Sequence, residues 1–112
     1  MTDEMINRSM EIILHAGDAR LQVKLALDAI AAQDFANAKE CMVKANEEIR
    51  IAHRVQTDAI QGEAQGITTE YSLLFSHAQD TLMTIYSEIN IAKQMIAIFE
   101  KYEARIKALE EK

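Results

Sequence analysis

From Tyr71 to Phe99 an apolar residue recurs at every third or fourth position: Tyr71, Phe75, Ala78, Leu82, Ile85, Ile89, Ala92, Ile96 and Phe99. Alternating steps of three and four put all nine on one stripe of an α-helix, where a strand would need steps of two. The pattern continues to about Glu110. At 1.5 Å per residue the helix is on the order of 60 Å long, far longer than the globule a chain of this size makes. A second stripe, Ile91, Met95, Ile98, Tyr102 and Leu109, appears in its C-terminal half. A helix that outruns its own bundle buries its excess apolar surface on another chain. Length and pattern therefore predict an oligomer held by this helix.

Two earlier stretches carry the same period. Between about Glu4 and Ala32 the seam is Ser9, Ile12, Ala16, Ala19, Val23, Ala26 and Ile30, widened by Leu14, Leu21, Leu25 and Leu27. Gly17 interrupts it at a cost of about 1 kcal/mol relative to alanine, which reads as a point of close helix packing. Asp34, after Ala32 and Gln33, is a good N-cap for a second helix. Its seam is Phe35, Ala38, Met42, Ala45, Ile49, Ala52, Gln56 and Ala59. Gln56 is the polar exception, and a buried amide must find a partner. Lys39, Glu40, Lys44, Glu47, Glu48 and Arg50 read as the solvated face. Gly62-Glu63-Ala64-Gln65-Gly66 reads as the second connection, with Thr68 or Thr69 capping the third helix. With no proline and three glycines in 112 residues, the expectation is one all-α domain over residues 1–112. Its form is an antiparallel three-helix bundle with a long third helix and a charged, fraying end from Lys101 to Lys112.

Charge and motifs exclude several function classes. A net charge of -6 argues against nucleic-acid binding, which needs a basic face. The lone Cys41 has no intrachain disulfide partner and reads as a buried or half-buried thiol. The start, Met1-Thr2-Asp3-Glu4-Met5, lacks the basic region and apolar core of a signal peptide. No apolar run approaches the roughly 20 residues of a membrane span, so a cytoplasmic setting is expected. Cys41, His15, His53 and His77 are scattered without zinc-ligand spacing. Nucleophile elbow, P-loop and dinucleotide fingerprint are all absent.

The chemistry-bearing stretch is Ser76-His77-Ala78-Gln79-Asp80, where an imidazole, a carboxamide and a carboxylate break an apolar run. His77 and Asp80, three apart, share one side of a helix. A lone histidine without a base partner suits transient phosphoryl carriage, since a neutral ring nitrogen is nucleophilic near neutral pH. The competing reading is a helical oligomerisation or adaptor module without chemistry, in which His77 is structural.

These residues, with Leu82-Met83-Thr84 following, resemble the histidine motif of the lactose/cellobiose-type enzyme IIA of the bacterial sugar phosphotransferase system. The likeness extends to His15-Ala16-Gly17-Asp18-Ala19-Arg20, to Ala52-His53 with Gln56-Thr57, to Asp34-Phe35 and to the Gly62–Gly66 connection. Thr81 departs from it, standing where many relatives carry a second histidine.

The resemblance implies three-helix subunits assembled as a homotrimer. It implies that His77 takes a phosphoryl group from the phosphocarrier HPr and passes it to a cysteine of enzyme IIB, for sugar entering through the membrane permease, enzyme IIC. The residue matching Asp80 is associated with a metal ion on the trimer axis, one per trimer. Three convergent carboxylates must be protonated, kept apart or bridged by a cation, for which Mg²⁺ is the natural hard ion. An Asp80 that only hydrogen-bonds nearby donors is the alternative. Gln79 would support His77 or donate to the phosphoryl oxygens. His15 and His53 read as structural, and the transported sugar is left open.

Overall fold

The computed structural model describes residues 2–66 and 71–112, and within them forms three α-helices. Helix α1 spans Asp3–Ala31. Its N-cap is Thr2, whose side-chain oxygen accepts from the Met5 N–H, and Asp3 and Glu4 place negative charge at the positive end of the helix dipole. At its other end the Asp34 N–H reaches the Ala29 carbonyl (2.8 Å) and the Gln33 N–H the Ile30 carbonyl (2.9 Å), a Schellman closure. That closure needs a left-handed residue after the cap, and Gln33 supplies it with φ 63° where glycine is usual.

Helix α2 spans Phe35–Ala64, and Asp34 caps it as expected, its Oδ1 accepting from the Asn37 N–H at 3.1 Å. The second connection starts later than the glycine pattern suggests. Gly62 is still helical, and the chain leaves α2 through Gln65 and a left-handed Gly66 (φ 90°). Helix α3 spans Leu73–Glu110. The expected caps Thr68 and Thr69 lie outside the described residues. The cap of α3 is Ser72, whose Oγ accepts from the Phe75 N–H at 3.1 Å.

The helices run up, down and up. Gln56 meets Gln79 and Lys39 meets Glu100, so α2 and α3 are antiparallel, while Val23 and Leu27 share a groove with Glu88, Ile91, Ala92 and Met95 on a parallel α1 and α3. One apolar core threads the bundle, from Ile12 to Ala29 on α1, Ala38 to Ala52 on α2 and Ala78 to Ile96 on α3. Alanines dominate the α1 and α2 seams, which lets the helix axes approach closely. Cys41 is buried as expected. Ala29 takes the last buried place on α1, and Ile30, expected there, only packs against the edge of the core.

Two further expectations are corrected. Gly17 makes no close packing contact: it is exposed, and a Cβ built on it would meet nothing within 4 Å. The nine-position seam of α3 is buried at only six positions, because Tyr71 precedes the helix in the open, Phe75 is half-buried and Phe99 is exposed. The reason lies in the lengths. Lys39, near the start of α2, pairs with Glu100 at 2.6 Å, so α3 beyond that level nears the α1–α2 turn. With one more turn of α2 before Lys39, the last six or so residues of α3, about 9 Å, extend past it. The radius of gyration is accordingly 18.2 Å with extents of 67 × 20 × 18 Å, against about 13 Å for a compact chain of this length. No helix among the described residues is long and apolar enough to cross a membrane.

Candidate functional site

His77 sits in the second turn of α3, fixed in place by the Ser72 cap one turn before it. At about 100° per residue, the buried residues Ala78, Leu82, Ile85, Ile89, Ala92 and Ile96 point into the bundle, and His77 lies about a quarter-turn to one side, exposed. Its imidazole makes no hydrogen bond among the described residues. Only its backbone carbonyl is engaged, by the Thr81 hydroxyl at 2.9 Å. Thr81 thus points its proton back into its own helix.

The other two histidines are held. His15 Nδ1 lies 2.6 Å from Glu48 Oε2, half-buried between α1 and α2. The His53 ring stacks on Tyr86 across α2 and α3, with centroids 6.4 Å apart. Both fit the structural reading of those residues. His77 is the one imidazole left facing outward with its ring uncommitted among the described residues.

Asp80 is exposed on the same side of α3 as His77. It belongs to a longer stripe that continues through Thr84, Ile91, Met95, Ile98 and Tyr102, all related by steps of three, four or seven. The first half of this stripe is polar and the second half apolar. Ile91 is 58% and Ile98 49% exposed, whereas Ile85 and Ile89 are 1% exposed. The apolar surface α3 leaves open is therefore this second stripe, while the first is closed against α1 and α2. Among the described residues Asp80 belongs to no group of three metal-ligating side chains within one chain.

Gln79 is on another side. Two residues separate it from His77 by about 200°, and its Oε1 accepts from Gln56 Nε2 at 3.0 Å. This answers the question of the buried Gln56 amide, and it is a pairing the sequence does not reveal. A second such pairing flanks His77's side of the helix: Arg20 clasps Glu88 through Nε (3.1 Å) and Nη2 (2.7 Å). The hydrogen bond to Glu88 raises the Arg20 pKa, against slight desolvation and with some Coulombic help. Between them the two pairs set the rotation of α3 against both neighbours.

Fold and site together define a small all-α protein that presents on its surface one histidine whose ring is uncommitted among the described residues. It belongs to the family described as PTS system, Lactose/Cellobiose specific IIA subunit, which matches residues 7–100. The chain is 41% identical over 101 residues to the PTS system lactose-specific EIIA component of Lacticaseibacillus casei, covering 90% of this chain and 87% of that one. It is similar to the crystal structure of the PTS cellobiose-specific enzyme IIA from Bacillus anthracis, with TM-score 0.86, 40% identity and coverage of 93% and 94%. It also resembles the IIA(Chitobiose) of the N,N'-diacetylchitobiose branch of the Escherichia coli phosphotransferase system, solved as a complex with HPr. There the TM-score is 0.78, the identity 32% and the coverage 91% and 99%.

Proposed function

We propose that this chain is a phosphoryl carrier that accepts a phosphoryl group from HPr on His77 and delivers it to a cysteine of an enzyme IIB. The observation that carries the reading is the exposed, uncommitted imidazole of His77 within the family's histidine motif. The solved HPr complex of a relative supports HPr as donor. In the forward step a neutral ring nitrogen of His77 attacks phosphorus, a P–N bond forms, and the bond to the donor breaks with its electron pair returning to the donor. In the second step the IIB thiolate attacks, a P–S bond forms, and the His77 nitrogen regains its pair.

The helix assists. A side chain on α3 leans toward its N-terminus, so a phosphoryl group on His77 lies over the first turn, where the dipole is positive. Gln79 supports indirectly: held by Gln56, it fixes the direction in which α3 turns His77 outward. The protein then works in the cytoplasm beside a sugar permease, enzyme IIC. The relatives' names span lactose, cellobiose and N,N'-diacetylchitobiose at similar identity, so the sugar is set by the partners.

The functional unit in this reading is a homotrimer joined along the outer stripe of α3. Ile91, Met95, Ile98 and Tyr102 supply its apolar contact. Asp80 lies on the same stripe nearer the N-terminus, so three copies would bring three carboxylates toward one axis. Oxygen donors of that kind suit Mg²⁺, which would neutralise their repulsion. Asp80→Leu removes the charges and adds apolar surface, a change that is often neutral or stabilising. The mutant trimer should therefore survive a chelator that loosens the wild type; equal chelator sensitivity in both would exclude Asp80 from any metal site.

The decisive experiment is incubation with phosphorylated HPr. An acid-labile, base-stable phosphate should appear on His77, and His77→Ala should abolish it with helicity unchanged. Absence of labelling under conditions that label another enzyme IIA would return the chain to a helical adaptor without chemistry.

A further inference from the structure

We propose that His15, Asp18 and Glu48 form a binding site for one divalent transition-metal ion, represented by Zn²⁺, on the face shared by α1 and α2. One donor atom from each residue lies within 4.8 Å of the other two. His15 and Asp18, three apart on α1, present their side chains on neighbouring turns of one flank. Glu48 comes from α2 and closes the group from across the groove, its Oε2 already 2.6 Å from His15 Nδ1. The His15 and Glu48 side chains are mostly shielded, at 23% and 30% exposure, and Asp18 is open to solvent.

The charge arrangement supports a cation here. On α1, Arg20 is engaged with Glu88 and Lys24 with Asp28, while on α2 Lys44 and Arg50, the basic residues nearest Glu48 along the helix, make no ion pair with it. Among the described residues no Lys or Arg pairs with Asp18 or Glu48, so two carboxylates face one imidazole with no fixed positive side chain between them. One nitrogen and two oxygens form a donor set for zinc and its neighbours, whereas Mg²⁺ prefers oxygen alone and holds its waters. Tetrahedral ligands about 2.1 Å from zinc stand roughly 3.4 Å apart. The group reaches that spacing by a turn of the exposed Asp18 side chain and a small opening of the His15–Glu48 contact. Zinc would take the place of the hydrogen that now joins them, and water would complete the shell.

The site lies apart from the phosphoryl and assembly surfaces. On α1, Arg20 and Leu27 face α3, whereas His15 faces α2, so a trimer joined along the outer stripe of α3 leaves it open. Zinc titrated into the whole protein, with Mg²⁺ kept saturating, should shift both His15 ring resonances in a nitrogen-15 imidazole spectrum, Nδ1 by coordination and Nε2 because the ring proton displaced from Nδ1 moves to it. Asp18→Asn and Glu48→Gln, each removing a charged ligand, should weaken zinc binding by calorimetry at least the roughly tenfold that loss of an outer-shell partner costs, while His53→Ala leaves it unchanged. Zinc that binds without moving His15 Nδ1, unchanged affinity in both carboxylate variants, or no binding at all would overturn the proposal.

Discussion

Two stripes of the same helix, α3, follow the same three-four rule and have opposite fates. The inner one, Ala78 to Ile96, is closed by α1 and α2. The outer one begins with His77, Asp80 and Thr84 and ends with Ile91, Met95, Ile98 and Tyr102, all of them exposed. Periodicity says that a residue has a face; only its neighbours say whether that face is already occupied. The difference separates stability from association: the inner stripe holds one chain together, and the outer one is available to other molecules.

The comparison breaks most sharply at Ile89. With 1% exposure, Ile89→Asp buries an unpaired carboxylate and should cost ~4 kcal/mol or more, seen as collapse of the cooperative thermal transition. Survival of that transition would show the inner stripe to be loosely packed. On the outer stripe, Ile91→Asp together with Ile98→Asp should leave the helical circular-dichroism signal intact and lower the sedimenting mass to that of one chain. Wild-type protein sedimenting as a monomer at micromolar concentration would remove the trimer altogether. The smallest effect belongs to the amide pair between α2 and α3. Gln79→Leu strands the Gln56 amide, which is 7% exposed, and should cost about 1–3 kcal/mol. Adding Gln56→Leu should restore most of that in chemical denaturation, because no buried amide is then left unpaired. Additive losses in the double variant would argue against the hydrogen bond as the cause.

The three histidines make the same point on a smaller scale. All three are single imidazoles beside apolar positions, alike in a linear reading. In the fold one hydrogen-bonds a carboxylate, one stacks on a tyrosine and one faces outward. His77 stood out in the sequence because Ser76, Gln79 and Asp80 interrupt an apolar run. His15 did not, although its i, i+3 spacing to Asp18 was visible, because Glu48 lies 33 residues away and reaches it only across a helix interface.

The sequence by itself determined the three helices, the turn at Asp34, the long third helix and the polar cluster around His77, the proposed phosphoryl acceptor. These are local matters: a period of three to four, a capping side chain and a polar cluster act over a few residues. Tertiary structure alone decided which stripe of α3 is core, that Gly17 is open and Gly62 still helical, that Ser72 caps α3, and that Gln56 meets Gln79. It also brought Glu48 to His15. Each of these depends on where one helix stops beside another, and contacts between residues far apart in the chain leave no periodic trace in the order of residues.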